Sequence, residues 1–389
     1  MASYIERVIE STVVEVATQY PVVTILGPRQ SGKTTLVKKT FPEHSYVNLE
    51  LPDDRVLAQE DPHSFFRRYP EPLIIDEIQR VPSLLSYIQI AVDEDRSRKG
   101  RFILTGSAQM DLRAAVSQSL AGRTALLKLL PLSLAELQVA GRLLDRDEQL
   151  YRGLMPALYE EDIPPSRVYS NYYQTYVERD VRQVANVRDL VAFETFIKLL
   201  AGRIGQIVNM NDLAGAIGVS STTLSQWLGV LEASFIVFRL QPYFENFGKR
   251  LIKSPKVYFT EPGLAAYLLG IRDARQVGAH PGLGGLFENL VIVEAYKAFY
   301  NRGEDTQLYF FRDSNGLEAD LIVGDGGKLL PIEIKASRTF SPEFCKGLVK
   351  IRGLDPKIQN GAVVYSGERE QDFQGCRIAN FRNTASLLG

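Results

Sequence analysis

The residues best suited to chemistry stand near the start of the chain. Val22–Thr35 reads Val-Val-Thr-Ile-Leu-Gly-Pro-Arg-Gln-Ser-Gly-Lys-Thr-Thr, and Gly27 through Thr34 fit the pattern GxxxxGK[ST] at every fixed position. The chemistry needs that spacing. Glycines let the backbone close into a nest whose N–H groups face phosphate oxygens. Lys33 opens the following helix and reaches the β- and γ-phosphates, and the Thr34 hydroxyl can ligate Mg2+. The positive end of that helix adds to the anion site. Gly27, Pro28, Arg29, Gln30, Ser31, Gly32, Lys33, Thr34 and Thr35 are the expected nucleotide-binding residues.

Acids follow in Pro72-Leu73-Ile74-Ile75-Asp76-Glu77. Apolar residues ending in Asp-Glu form the Walker B pattern. A buried strand aims Asp76 at the Mg2+ shell and places Glu77 to polarise an attacking water. Arg101-Phe102-Ile103-Leu104-Thr105-Gly106-Ser107 is another apolar strand with a small polar end. It resembles the sensor-1 strand of AAA-type ATPases, which puts Ser107 at the position contacting the γ-phosphate or the water, with Thr105 as second choice. Arg123, in Leu120-Ala121-Gly122-Arg123-Thr124, is a candidate arginine finger, since a guanidinium stabilises charge on a transferring phosphoryl group. A surface arginine before a strand fits it equally well. Arg179 and Arg182 are second choices.

A separate constellation lies near the other end. Leu317–Val323 and Leu329–Lys335 read as adjacent strands, with glycines from Gly324 to Gly327 between them. Asp320 on the first and Glu333-Ile334-Lys335 on the second make the PD-(D/E)xK nuclease arrangement. Asp320 and Glu333 would hold Mg2+ or Mn2+, and alternation puts Lys335 on the same face, where it can orient or activate water. Glu288 on the preceding helix could add a carboxylate, and DNA is the expected substrate if there is one. Two neighbouring anions also require a cation on Coulombic grounds, and Lys335 alone would serve a structural cluster.

These groups need a scaffold. Val22–Leu26 is a short β-branched run bounded by Pro21 and Gly27, hence a buried strand. Tyr4–Thr18 spaces Ile5, Val8, Ile9, Val13 and Val16 as an amphipathic helix. Ser45–Leu49 reads as a strand, and Asp53–Tyr69 as helix broken at Pro62. The alternation from residue 20 to 130 indicates an α/β, doubly wound sheet of P-loop NTPase type. Asp145-Arg146-Asp147-Glu148 marks its end. The expected units are a P-loop ATPase domain (1–142), a helical and winged-helix domain (143–275) and a small α/β restriction-endonuclease-like domain (276–389). In the second, two short helices flank Gly218 as a helix-turn-helix, and Phe235–Leu240 reads as a strand. The wing, Gly248–Lys256, holds Lys249, Arg250, Lys253 and Lys256, which can bind phosphates without reading bases. The second helix offers Ser, Thr and Gln but no Arg or Lys, so DNA contact and structural packing stand level.

Composition sets limits. The formal net charge is −1, so any basic, nucleic-acid-binding surface must be local. Cys345 and Cys376 lack a CxxC or a nearby His and argue against zinc or a disulfide framework. The N-terminus lacks the basic and apolar regions of a signal peptide, and no apolar run is long enough to span a bilayer. A cytoplasmic protein without a membrane partner is expected.

The chain as a whole resembles the prokaryotic AAA-type P-loop ATPases that carry a C-terminal PD-(D/E)xK nuclease-like domain. The resemblance spans nearly the full length. It rests on Leu26–Thr35, Ile75-Asp76-Glu77-Ile78-Gln79, Leu104-Thr105-Gly106-Ser107, Leu120-Ala121-Gly122-Arg123, Ser254-Pro255-Lys256-Val257-Tyr258-Phe259 and Pro331-Ile332-Glu333-Ile334-Lys335. It implies ATP and Mg2+ at the first four motifs. Glu261 departs from the pattern, where Asp is expected. The resemblance fixes no substrate, and two readings stand open. One is a Mg2+-dependent ATPase acting on nucleic acid through its winged-helix and nuclease-like domains. The other is a regulatory nucleotide-dependent switch that binds protein partners without cleavage. An arginine finger supplied in trans would require a homo-oligomer.

Overall fold

The computed structural model describes residues 4–107, 116, 118–181, 187, 189–243 and 254–388, with 178–181 described by backbone alone. The first sheet contains β1 (Val22–Gly27), β2 (Ser45–Asn48), β3 (Leu73–Asp76), β4 (Phe102–Ser107) and β5 (Thr124–Lys128). It is all parallel, in the order β2-β3-β4-β1-β5. Both faces are covered, which is why these strands read as unbroken apolar runs. Val22, Leu26, Leu73, Ile75, Phe102 and Leu104 join one buried cluster. Val23, Ile25, Ile74, Ile103 and Leu127 join another, together with Ile9, Val13 and Ala17 of α1 (Ile9–Gln19) and Leu36 and Val37 of α2 (Lys33–Thr40). The first helix starts later than its spacing suggested: Val8 lies before it and is 49% exposed.

Parallel pairing puts every strand's C-terminal end on one edge. Gly27 lies beside Ser107, and Asn48 beside Asp76. Phosphate-binding loop, acids and polar strand end therefore meet there, where open α/β sheets place their ligands.

Most of the rest of the chain shares one large core, and Phe311, Ile322, Leu348, Val363 and Ile378 form a smaller one. The large core runs from Ile5 and Leu132 through Tyr169, Phe196, Leu231 and Phe259 to Phe287 and Phe381. The helix-turn-helix pair forms as Met210–Ile217 and Ser221–Ala233. Gly218 adopts the left-handed conformation (φ 84°) that ends the first helix, and the Ser220 hydroxyl caps the second by accepting from Thr223 N–H. The strands after this pair belong elsewhere than expected. β6 (Val237–Pro242) and β7 (Lys256–Phe259) are not a separate wing. They form the edge of a second sheet with β8 (Leu308–Arg312), β9 (Glu318–Asp325), β10 (Lys328–Lys335), β11 (Ala362–Tyr365), β12 (Gln371–Phe373) and β13 (Cys376–Asn380). Its order is β12-β13-β11-β10-β9-β8-β6-β7. The join is parallel, Gln241 beside Tyr309 and Pro242 beside Phe310. Lys249, Arg250 and Lys253 lie outside the described residues.

The Leu283–Asn301 helix is buried along most of its length and carries Glu288, Asn289, Glu294 and Lys297 inward. Cys345 and Cys376 are free and buried. Among the described residues, no helix is long and apolar enough to cross a membrane.

Candidate nucleotide site and C-terminal carboxylate cluster

Gly27 has no room for a side chain: a Cβ there would stand 2.0 Å from the Leu129 carbonyl oxygen. Gly32 sits at φ 89° as the cap of α2. These two positions explain the glycines of the motif. Lys33 is 5% exposed, and its amine donates to the carbonyls of Gly27 (3.0 Å) and Pro28 (2.8 Å). Burial pushes that amine down to about 8, against the pull of Glu77 and Asp76 and with a further push from Arg29.

Asp76, 1% exposed, collects hydroxyls. Thr34 donates to it at 2.8 Å and Tyr46 at 2.9 Å, and Thr105 donates to its other oxygen. A hydroxyl and a carboxylate meeting this closely form a hard-oxygen donor set of the kind that suits Mg2+. Glu77 follows in the left-handed region (φ 58°), its N–H donating to Thr105 Oγ1 at 3.3 Å. Its carboxylate accepts from Gln79, whose amide also donates to Ser107 Oγ at 2.9 Å.

A cavity of about 430 Å³ opens over these groups. Arg29, Gln30, Gly32, Lys33, Thr34, Thr35 and Glu77 line one side. Tyr4, Ile5, Leu132, Pro156, Tyr172 and Tyr176 supply apolar and aromatic walls, as a base and ribose would need. The Arg29 guanidinium lies 5.5 Å from the centre of the Tyr176 ring. Arg7 supports the loop from behind, donating to Ser31 O at 2.8 Å and to Glu136 at 3.0 Å.

The C-terminal candidates do come together. Ile332 pairs with Leu321, so Asp320 and Glu333 are neighbours across β9 and β10. Asp320 accepts from Ile334 N–H (2.8 Å), and Lys335 pairs with Glu333 at 2.5 Å. A cation that was not expected in this role, Lys256 of β7, is 1% exposed and bridges Glu288 (3.1 Å) and Glu318 (2.7 Å). Tyr258 also donates to Glu288, at 2.5 Å. Burial, then the charge of Asp320, raises both Glu288 and Glu333 to about 7. Burial opposes the charge on Lys256, but Glu288, Asp320 and Glu318 outweigh it and hold the amine well above its usual value. Each expected metal ligand is thus engaged by a protein donor. Among the described residues, no three His, Cys, Asp or Glu side chains converge to hold a metal ion.

The first site lies within a stretch that resembles a known domain. Residues 19–138 match an AAA domain. Residues 144–275 and 283–383 each match a domain of unknown function (DUF8612 and DUF4143). The uncharacterized proteins Rv2008c of Mycobacterium tuberculosis and Mb2031c of Mycobacterium bovis are each 32% identical over 90% of this chain and 77% of their own. The chain belongs to this AAA-domain family. The Walker-type ATPase PABY2304 of Pyrococcus abyssi aligns over 68% of this chain and 96% of its own with a TM-score of 0.42 at 15% identity, too low to bear on function.

Within this AAA-domain chain the phosphate-loop residues, Asp76, Glu77 and Ser107 gather at one sheet edge, but Arg123 does not. It precedes β5, and its carbonyl accepts from Val22 N–H, at the opposite end of β1 from Gly27. A six-residue strand separates the two by roughly 16 Å. Its guanidinium is clamped on Asp93 at 2.9 and 2.8 Å. Arg123 therefore does not serve this chain's own site, because a parallel sheet returns the chain to the far edge before each strand; a finger lent to a neighbouring subunit is a separate arrangement between two chains. Arg182 and the Arg179 side chain lie outside the described residues. Among the described residues, Arg7 and Arg29 are the arginines that line the cavity.

Sequence reasoning missed Arg7, Tyr46, Gln79, Tyr172, Tyr176 and Lys256 as members of these sites. Gln79 and Lys256 stood inside recognised motifs, and Tyr46 on a strand already recognised. Nothing local marked Arg7. Glu261 also finds a role: it caps the Pro262–Leu268 helix and accepts from Leu154 N–H (2.8 Å) and Tyr169 OH (2.9 Å), a longer reach than Asp would give.

Proposed function

We propose that this protein binds ATP with Mg2+ in the cavity over α2 and hydrolyses it. The observation that carries the reading is the convergence of Lys33, Thr34 and Glu77 on one pocket, with Asp76 directly behind Thr34 and accepting from its hydroxyl. The loop N–H groups and Lys33 take the phosphates, and Arg29 adds a second cation. Thr34 and Asp76 would hold Mg2+, which when bound neutralises charge on the β- and γ-phosphates. Glu77 accepts the proton of the attacking water, and Ser107 stands at the γ-phosphate end. Burial lowers the Lys33 amine to about 8, and a phosphate beside it would hold the amine in its charged form.

The output is that of a regulatory switch acting on protein partners. Polar contacts run from the loop into the C-terminal unit: Ser31 O to Arg7, Arg7 to Glu136, and Glu136 in the cap of a helix whose Leu134 N–H is held by Glu294 of the Leu283–Asn301 helix. DNA has less support, since the Ser221–Ala233 helix carries no Arg or Lys, and lysines pair with Glu288, Glu318 and Glu333 while Asp320 accepts from the Ile334 N–H.

Two substitutions test the reading. Lys33→Ala should abolish most nucleotide affinity, and Glu77→Gln should keep affinity and lose turnover. Wild-type hydrolysis in either variant would overturn the assignment. DNA binding that falls steeply with salt would overturn the choice of partner.

A further inference from the structure

Gln79 is a polar group that the phosphate chemistry leaves unused, yet it joins two groups that chemistry needs. It lies in the tight turn Ile78–Arg80 directly after Glu77. Its amide nitrogen donates to Glu77 Oε2 and to Ser107 Oγ, the latter at 2.9 Å. Its amide oxygen is buried and has no hydrogen-bond partner among the described residues. Turning the amide over would set that oxygen against the Glu77 carboxylate. The orientation is therefore fixed by the two acceptors.

Among the described residues, Glu77 is otherwise hydrogen-bonded through its backbone. Its φ of 58° is unfavourable for a residue with a side chain, and its N–H is pinned by Thr105. Three rotatable bonds separate that anchor from the carboxylate, so a second anchor is needed to fix where the acid points. Glu77 lines the nucleotide cavity, and Ser107 ends the neighbouring strand.

We propose that Gln79 is a positioning residue for phosphoryl transfer: its amide holds the Glu77 carboxylate in register with Ser107, leaving the second oxygen for the attacking water. The inference rests on the ATPase reading above. Gln79 acts through Glu77 and touches neither phosphate nor metal.

The test uses the full-length chain. Gln79→Met keeps length and volume and removes both donors. It should lower kcat by about 10- to 100-fold, the range for one hydrogen bond to a charged group. Affinity for a non-hydrolysable ATP analogue should stay within about threefold, because the contact matters in the transition state. Affinity for ADP with aluminium fluoride, which mimics the planar phosphoryl group, should fall in parallel with kcat, a readout independent of turnover. Adding Ser107→Ala should cost less in the double variant than in the wild type, since the two share one bridge. Wild-type kcat and aluminium fluoride affinity in Gln79→Met, beside an inactive Glu77→Gln, would overturn the positioning role and leave the ATPase reading standing. Equal loss of analogue affinity would also overturn it, by showing that Gln79 shapes the pocket. Full turnover by Glu77→Gln would remove both.

Discussion

Arg7→Met removes the guanidinium that ties the N-terminal segment to the phosphate loop while keeping an apolar stem. Arg7 is 6% exposed and donates to Glu136 Oε1 (3.0 Å), Ser31 O (2.8 Å), Leu130 O (2.7 Å) and Pro131 O (3.4 Å). The Glu136 carboxylate is not stripped bare, because Val8 N–H (2.8 Å) and Ser133 N–H (2.7 Å) still reach it. The loss therefore combines one broken buried ion pair with two strong donors taken from buried carbonyls, about 3–5 kcal/mol when treated as one unit. Urea unfolding followed by circular dichroism measures it. Glu136→Gln, which keeps the shape and most partners, should lose less. Because Ser31 O sits in the loop, Arg7→Met should also weaken binding of an ATP analogue, by about 10-fold as the loop loses preorganisation. A destabilisation below about 1 kcal/mol with unchanged analogue affinity would refute the claim that Arg7 holds the loop.

Lys256→Met removes the buried cation that Glu288 and Glu318 share, leaving them Tyr258 and Arg312, and should destabilise the chain by about 3 kcal/mol near pH 8, less as acid protonates Glu288; urea titrations at several pH values would show a constant deficit if Lys256 were merely packed. In the wild type, Glu288 and Glu333 bind protons more readily folded (about 7) than unfolded (4.5), so stability should fall as pH rises through this window, by about 1.4 kcal/mol per pH unit for each extra proton held. Glu333→Gln should flatten that slope, and an identical slope in the variant would contradict the cluster's electrostatics.

What could be read from the sequence was whatever short-range rules control. The first sheet and its phosphate loop follow from apolar runs, glycines and a helix start within a few residues of each other. The helix-turn-helix pair was equally plain, since Gly218 and Ser220 act on their own neighbours. β6 was recognisable as a strand, but not as part of the C-terminal sheet, because that depends on pairing with β8 more than sixty residues later. Arg123 illustrates the same limit: position along the chain does not reveal which end of a parallel strand a residue occupies. Lys256 completes a carboxylate cluster from a strand whose own sequence contains no acid. Arg7 reaches a carboxylate far along the chain, and no periodicity encodes such a pair.

The central claim is that Glu77 acts on water at a site that binds ATP through Lys33 and Thr34. Its most direct measurement is a single-turnover experiment on Glu77→Gln with radiolabelled ATP and Mg2+. The account predicts a stoichiometric complex that retains uncleaved ATP, with hydrolysis slowed by about 100-fold or more, the scale of losing a positioned general base. Release of phosphate at the wild-type rate from that complex would contradict it.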